Sequence, residues 1–156
     1  MKMKRIIVLF AAATLFLPSG CSKSEPLQTV KVTGTVKVDG IPMGGVSIIF
    51  NPVENNGTAA GGVTDATGAY SLTSGANTPG TGAVTGSFTP TFSKTELEQR
   101  EPTASPEEEM AKYGGVPPKV FHLVPEKYGN VKTCGIDPVT VEKGKPNVFD
   151  FDLSSK

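Results

Sequence analysis

The sequence predicts an all-β fold, a seven-stranded antiparallel β-sandwich with one long irregular insertion that carries a short helix. Three observations point there. Apolar residues recur at every second position in several short runs, as half-buried strands require. The 18 glycines and 13 prolines are about a fifth of the 156 residues, above a typical ~12% but short of the ~25–30% of low-complexity chains. Clusters of Gly, Pro, Asn and Asp separate the alternating runs, marking tight turns.

The first element is a leader. Lys2, Lys4 and Arg5 precede residues 6–17, which are apolar except Thr14. That run is shorter than the ~20 residues a bilayer span needs, so residues 1–20 read as an export signal. Ser19-Gly20-Cys21 follows at once and resembles the lipobox of bacterial lipoproteins, with Pro18 where that motif prefers leucine. The resemblance implies cleavage before Cys21, a diacylglycerol on its thiol and an acylated, palmitate-type amino terminus. Two or more acyl chains anchor a protein stably to a membrane without spanning it. Ser22 after the cysteine implies, by the best-known sorting rule of that family, the outer membrane. The alternative is ordinary secretion, with Cys21 and Cys134 paired as a disulfide in an oxidising compartment. Residues 21–27 form a tether that reaches at most about 20–25 Å when fully stretched, and residues 28–154 form the domain.

Val30, Val32, Gly34, Val36 and Val38 share one face, with Lys31, Thr33, Thr35, Lys37 and Asp39 on the other. One dry face and one wet face fit an antiparallel sheet better than a parallel one. Asp39-Gly40-Ile41-Pro42 is a turn, and Val46, Ile48 and Phe50 follow, so a hairpin is predicted. Ile49 breaks the alternation and is expected at an edge or under a loop. Residues 59–64 run through the turn Asp65-Ala66-Thr67-Gly68 to Tyr70 and Leu72, a second predicted hairpin. Phe88 and Phe92 mark a further strand, which Pro90 demotes to an edge or bulge.

Strand signals stop at residues 94–118, where six acids (Glu96, Glu98, Glu101, Glu107, Glu108, Glu109) face three bases (Lys94, Arg100, Lys112). Ser105-Pro106-Glu107-Glu108 combines an N-cap serine, proline at the first helical position and a capping-box glutamate, with Gly114-Gly115 as the stop. A helix of about two turns is predicted, with Met110 and Tyr113 docking it on the sandwich. Residues 124–129 read as a single helical turn or a tight loop with Tyr128 inward. Val139 and Val141, then Phe149, Phe151 and Leu153, complete the strands. Val32, Val36, Ile48, Phe50, Leu72, Phe149 and Phe151 are the predicted core.

Gly34-Thr35-Val36, residues 39–46 (Asp-Gly-Ile-Pro-Met-Gly-Gly-Val) and residues 64–72 (Thr-Asp-Ala-Thr-Gly-Ala-Tyr-Ser-Leu) occur in that order. Over residues 30–72 the chain resembles carboxypeptidase regulatory-like domains. The resemblance implies a transthyretin-like, immunoglobulin-like sandwich that is accessory to catalysis and holds no zinc ligands. Where that family places a Gly-x-Tyr strand, this chain has residues 79–84, Pro-Gly-Thr-Gly-Ala-Val. The remainder is similar to small lipoproteins of planctomycete bacteria that carry this domain.

Charge and composition narrow the function. Without Lys2, Lys4 and Arg5, twelve bases face fifteen acids, a net of −3, which disfavours nucleic acid as a partner. One histidine and two cysteines are thin material for a His/Cys metal site, and no cofactor is expected. His122 and Cys134 are a conceivable nucleophilic pair, against which stands a buried, inert cysteine. Asp150 and Asp152 share a strand face and with a third carboxylate would suit calcium; alternation on a solvated face explains them equally. Asn56-Gly57-Thr58 fits a glycosylation sequon but reads as a turn. The expectation is a non-catalytic binding or structural module, membrane-anchored through lipid on Cys21. Its partner is an envelope protein or polysaccharide, and a carbohydrate-binding module is the alternative. The predicted interaction surface is Glu107, Glu108, Glu109, Met110 and Tyr113 in the insertion, whose net −3 suits a cationic partner.

Overall fold

The computed structural model describes residues 28–55, 57–75 and 81–156. The leader, Cys21, the tether and Asn56 therefore lie outside the described residues, as do the Pro79 and Gly80 of the departing segment. Within them the chain is all-β with one short helix, and no described helix is long and apolar enough to cross a membrane.

Strand β1 (Val32–Val38) buries Val32, Gly34, Val36 and Val38 and turns the intervening residues outward, as its alternation predicts. Asp39 (φ 50°) and Gly40 (φ 79°) then make a tight turn into β2 (Ile41–Pro42), which folds back on β1 with Ile41 opposite Val38. The predicted hairpin to Phe50 does not form. After β2 the chain leaves for a second sheet, where β3 (Ser47–Pro52) pairs with β4 (Ala60–Val63).

The second predicted hairpin is corrected in the same way. From β4 the turn at residues 65–68 returns the chain to the first sheet, where β5 (Ala69–Ser71) pairs with β1. β6 (Thr73–Ser74) crosses again to pair with β4. Alternation specifies which face is buried; it does not specify which strand lies alongside. Thr64 staples this crossover: its buried hydroxyl donates to the Met43 carbonyl at 2.7 Å and accepts from the Val46 amide at 2.8 Å.

β7 (Gly86–Ser93) pairs with β3 along most of its length, and Phe50 lies opposite Pro90. The Val53 amide bonds the Ser87 carbonyl, so by alternation Phe50 and Pro90 are a non-hydrogen-bonded pair. The proline nitrogen faces the other flank. There β8 (Thr95–Leu97), α1 (Pro106–Tyr113) and β9 (Val120–His122) intervene in sequence before β10 (Val139–Val141), which pairs with β7 only up to Phe88. Pro90 thus sits where no donor is required, at a local edge of an otherwise interior strand. Ile49, by contrast, is on the outer face of interior β3, not at an edge.

β11 (Asn147–Val148) and β12 (Phe151–Leu153) run parallel to β1, on the flank opposite β2 and β5. This corrects the expectation of purely antiparallel pairing. Because β10 lies in the second sheet, the chain re-enters the first by a crossover and arrives in the direction of β1. Between β11 and β12 the ladder is interrupted. A Cβ on Gly34 would stand 1.8 Å from the Phe149 carbonyl oxygen, so only glycine fits. The Tyr70 hydroxyl donates to that carbonyl at 2.7 Å, and the Asp150 carboxylate accepts from the Thr35 amide and hydroxyl, each at 2.8 Å. Burial, assisted by the Asp150 charge, pushes the Tyr70 phenol well above its ordinary value, keeping it a donor.

The sheets are β11-β1-β12 with β2 and β5, and β10-β7-β3-β4-β6. They share one core. The Phe50 ring meets Phe88, Phe149 and Phe151 at 6.0, 5.9 and 6.3 Å, and Phe92 meets Phe151 at 4.9 Å. Val32, Val36, Ile48, Phe50 and Leu72 are fully buried, while Phe149 and Phe151 are half-buried against them. Among the described residues there are twelve short strand segments, because turns and crossovers divide the predicted runs. The turn at residues 126–129 forms with Tyr128 buried, as predicted, and its hydroxyl accepts from the Ser154 amide.

Candidate functional site

Residues 94–124 build an arm whose two-stranded sheet, β8 with β9, is separate from the two larger sheets. This is a correction, since strand signals were expected to stop at residue 94. Thr95, Glu96 and Leu97 lie opposite His122, Phe121 and Val120. At the root, the Lys94 ammonium donates to the Gly44 carbonyl at 2.9 Å, and the Lys94 carbonyl accepts from the Leu123 amide at 2.9 Å. At the far end the Glu98 amide reaches the Lys119 carbonyl at 2.7 Å.

Arg100 closes the stem. Its guanidinium donates to Glu98 Oε2 at 3.1 and 3.0 Å, to the Val116 carbonyl at 2.6 Å and to the Pro117 carbonyl at 3.0 Å. A planar, multiply donating cation suits this better than lysine would. The Arg100 hydrogen bonds hold the Glu98 carboxyl below its ordinary value. Above the guanidinium lies the Tyr113 ring, 4.6 Å away.

The helix forms where its caps predict. The Ser105 hydroxyl accepts from the Glu108 amide, Pro106 opens the helix, and Gly114 at φ 62° bonds the Met110 carbonyl. Glu108 reaches back to the Ala104 amide at 2.8 Å, one residue before the capping box places it. Glu107 is held below the ordinary carboxylate value, first by a first-turn backbone amide and then by Ser105.

The predicted docking of α1 is corrected. No residue of α1 is buried, and Met110 is 61% exposed, resting beside Gly115. Only Tyr113 docks, and it docks on Arg100 within the arm. Of the predicted surface, only Glu109 and Met110 line a common cleft, of about 270 Å³, with Pro106, Gly115, Val116 and Pro117, while Glu107 and Glu108 stay exposed on the helix's first turn. Arg100, Val120 and Phe121 escaped sequence reasoning. The apolar run at residues 120–124 (Val-Phe-His-Leu-Val), one residue after Pro117-Pro118, is the signal that would have found the second strand. Leu97, Met110, Val116, Val120 and Phe121 are five of the eleven exposed large hydrophobics among the described residues. The arm concentrates uncovered apolar surface.

The remaining candidates find other partners. His122 Nε2 lies 2.9 Å from Glu126 Oε1, while the buried Cys134 thiol faces the Val131 carbonyl at 3.6 Å. Asp152 accepts from the Gly40 amide at 2.9 Å, and Asp150 is committed to Thr35. Among the described residues no three His, Cys, Asp or Glu side chains converge on a metal position. An open groove of about 630 Å³ beside β4 and β5 is lined by Gly61, Gly62 and Tyr70, whose hydroxyl is already committed. The class defined so far is an all-β protein carrying an acidic, apolar arm. Comparison with protein-family models, curated proteins and solved structures finds no match.

Proposed function

We propose that the protein is a lipid-anchored β-sandwich of the bacterial cell envelope, of transthyretin-like type, acting as a non-catalytic binding or structural module through its arm. The observation that carries this reading is the arm itself, an Arg100-closed stem whose tip leaves Met110 and Val116 exposed around an open cleft that Glu109 also lines. Uncovered apolar side chains with carboxylates in excess over bases suit an envelope protein with a basic, apolar patch. A carbohydrate site is less well supported, because Tyr70 and Tyr128 are buried and Tyr113 lies against Arg100. The leader and Ser19-Gly20-Cys21 support the anchor, favouring the outer membrane. Burial of Cys134 weighs against the secreted alternative with a Cys21–Cys134 disulfide.

Replacing residues 101–115 by a short Gly-Ser linker should leave the fold intact, since closure entropy changes slowly with loop length, and should abolish recovery of envelope partners in a pulldown from native membranes. Unchanged recovery refutes the arm's tip as the binding surface. For the anchor, mass spectrometry should find acyl chains on Cys21, and Cys21→Ala should release the protein from membranes. An unacylated amino terminus refutes it.

A further inference from the structure

Two places at the edges of the larger sheets are capped from within. On β5, the outward amide and carbonyl of Ala69 are taken by the Asp65 carboxylate and the Asp65 amide, at 3.0 and 2.8 Å. Beside β10, the Glu142 amide and carbonyl are both taken by the Asn147 side chain at 2.9 Å. Side-chain capping of this kind is how proteins keep strand edges from recruiting other chains.

The arm lacks such caps. Glu98 with Lys119 and Lys94 with Leu123 are bonded across the stem, so by alternation Glu96 and Phe121 are bonded too. The amides and carbonyls of Val120 and His122 then point away from β8, and among the described residues no partner within the chain takes them. The stem is also only two strands wide, whereas independent stability asks for three or more with an apolar face. Its apolar side chains, Leu97 and Val120 on one face and Phe121 on the other, are uncovered.

We propose that the outer edge of β9 is a self-association surface, on which a second copy of this chain adds its own β9 antiparallel, joining two arms into a four-stranded sheet. The edge is complementary to itself. A two-fold axis at Phe121 sets Val120 opposite the second copy's His122, whose outward backbone groups have matching parity. The two Phe121 rings become a cross-strand aromatic pair, and no like charges meet. The outer edge of β8 is excluded by the same geometry, because a two-fold axis there sets Glu96 against Glu96. This surface lies on the stem and does not depend on what the arm's tip binds.

The test uses the full chain in detergent. Sedimentation equilibrium should give a dimer. Val120→Pro removes an outward amide while sparing the β8–β9 bonds, and should weaken the dimer at least tenfold with unchanged circular dichroism. Phe121→Cys places two thiols on a directly opposed non-hydrogen-bonded pair, ~4.5 Å apart at Cα, within the reach of a disulfide; it should cross-link on mild oxidation. Lys119→Cys places them about four residues out of register, roughly 13 Å along the strands, and should not cross-link beyond the unsubstituted chain. A chain that stays monomeric at millimolar concentration, a Val120→Pro variant that dimerises normally, or equal cross-linking of the two cysteine variants overturns the proposal.

Discussion

Phe50 in β3 and Phe121 in β9 are both phenylalanines in short antiparallel strands, yet Phe50 is fully buried against three other rings while Phe121 is 51% exposed. In the body, inward residues of both larger sheets, Phe50 and Phe92 from one and Phe149 and Phe151 from the other, meet in one core. In the arm, Leu97 and Val120 on one face of the stem and Phe121 on the other stay exposed, and order comes from Arg100, from the caps of α1 and from backbone bonds. The contrast teaches that one strand pattern serves two ends: buried, it supplies stability, and uncovered, it supplies surface. It also predicts that the two regions respond differently to substitution.

The largest effect separates them directly. Phe50→Ala should cost about 3–5 kcal/mol, the usual range for emptying a buried aromatic site, while Phe121→Ala should stay within about 0.5 kcal/mol. Urea denaturation of both variants measures this, and similar losses would mean that the arm is part of the core. Next comes Gly34→Ala, whose methyl would overlap the Phe149 carbonyl oxygen. Overpacking costs about 1–3 kcal/mol and sometimes more, and a melting temperature equal to that of the unsubstituted chain would refute the close approach.

A smaller effect is confined to the arm. Ser105→Ala removes the helix cap at a cost of about 1 kcal/mol. Because α1 buries nothing in the core, the loss should appear as faster amide exchange at the start of α1 with no change in the melting of the body. The smallest effect concerns the body at acid pH. The Asp65 carboxyl is held below its ordinary value, first by the Thr67 hydroxyl, then by the amides of Thr67 and Ala69. A lowered folded value means that its contribution is complete above the unfolded value of ~3.9 and is lost as pH falls through the folded value. Asp65→Asn should therefore flatten the acid limb of the stability curve, and an unchanged limb would show that this turn is not part of it.

The inward faces were legible because alternation is a local property: Val32, Val36, Ile48, Phe50 and Leu72 are all buried. Strand neighbours were not, because Asp65 to Gly68 reads as the same turn whether the next strand pairs locally or in the other sheet. Parallel pairing of β12 was equally hidden, since no residue of Phe151–Leu153 encodes the direction of its neighbour. In the arm, Ser105, Pro106 and Gly114 announced the helix, but Met110 announced docking that has nothing to receive it. Thr95–Leu97, one apolar residue among a threonine and a glutamate, is a strand only because the run containing Phe121 lies across from it.

The placement of β1 has a consequence for assembly. Its parallel flank is closed by residues 115 positions further along the chain, where Thr35 meets Asp150. Contacts so distant in sequence slow folding, because the ends of a long loop must meet before either is rewarded. A chain emerging amino terminus first presents β1 early and β12 last, so the central strand of the first sheet waits with one open edge until nearly the whole domain is available. Folding is then committed by the final strand, and an incomplete chain ending before residue 147 retains the alternation of β1 without its parallel partners.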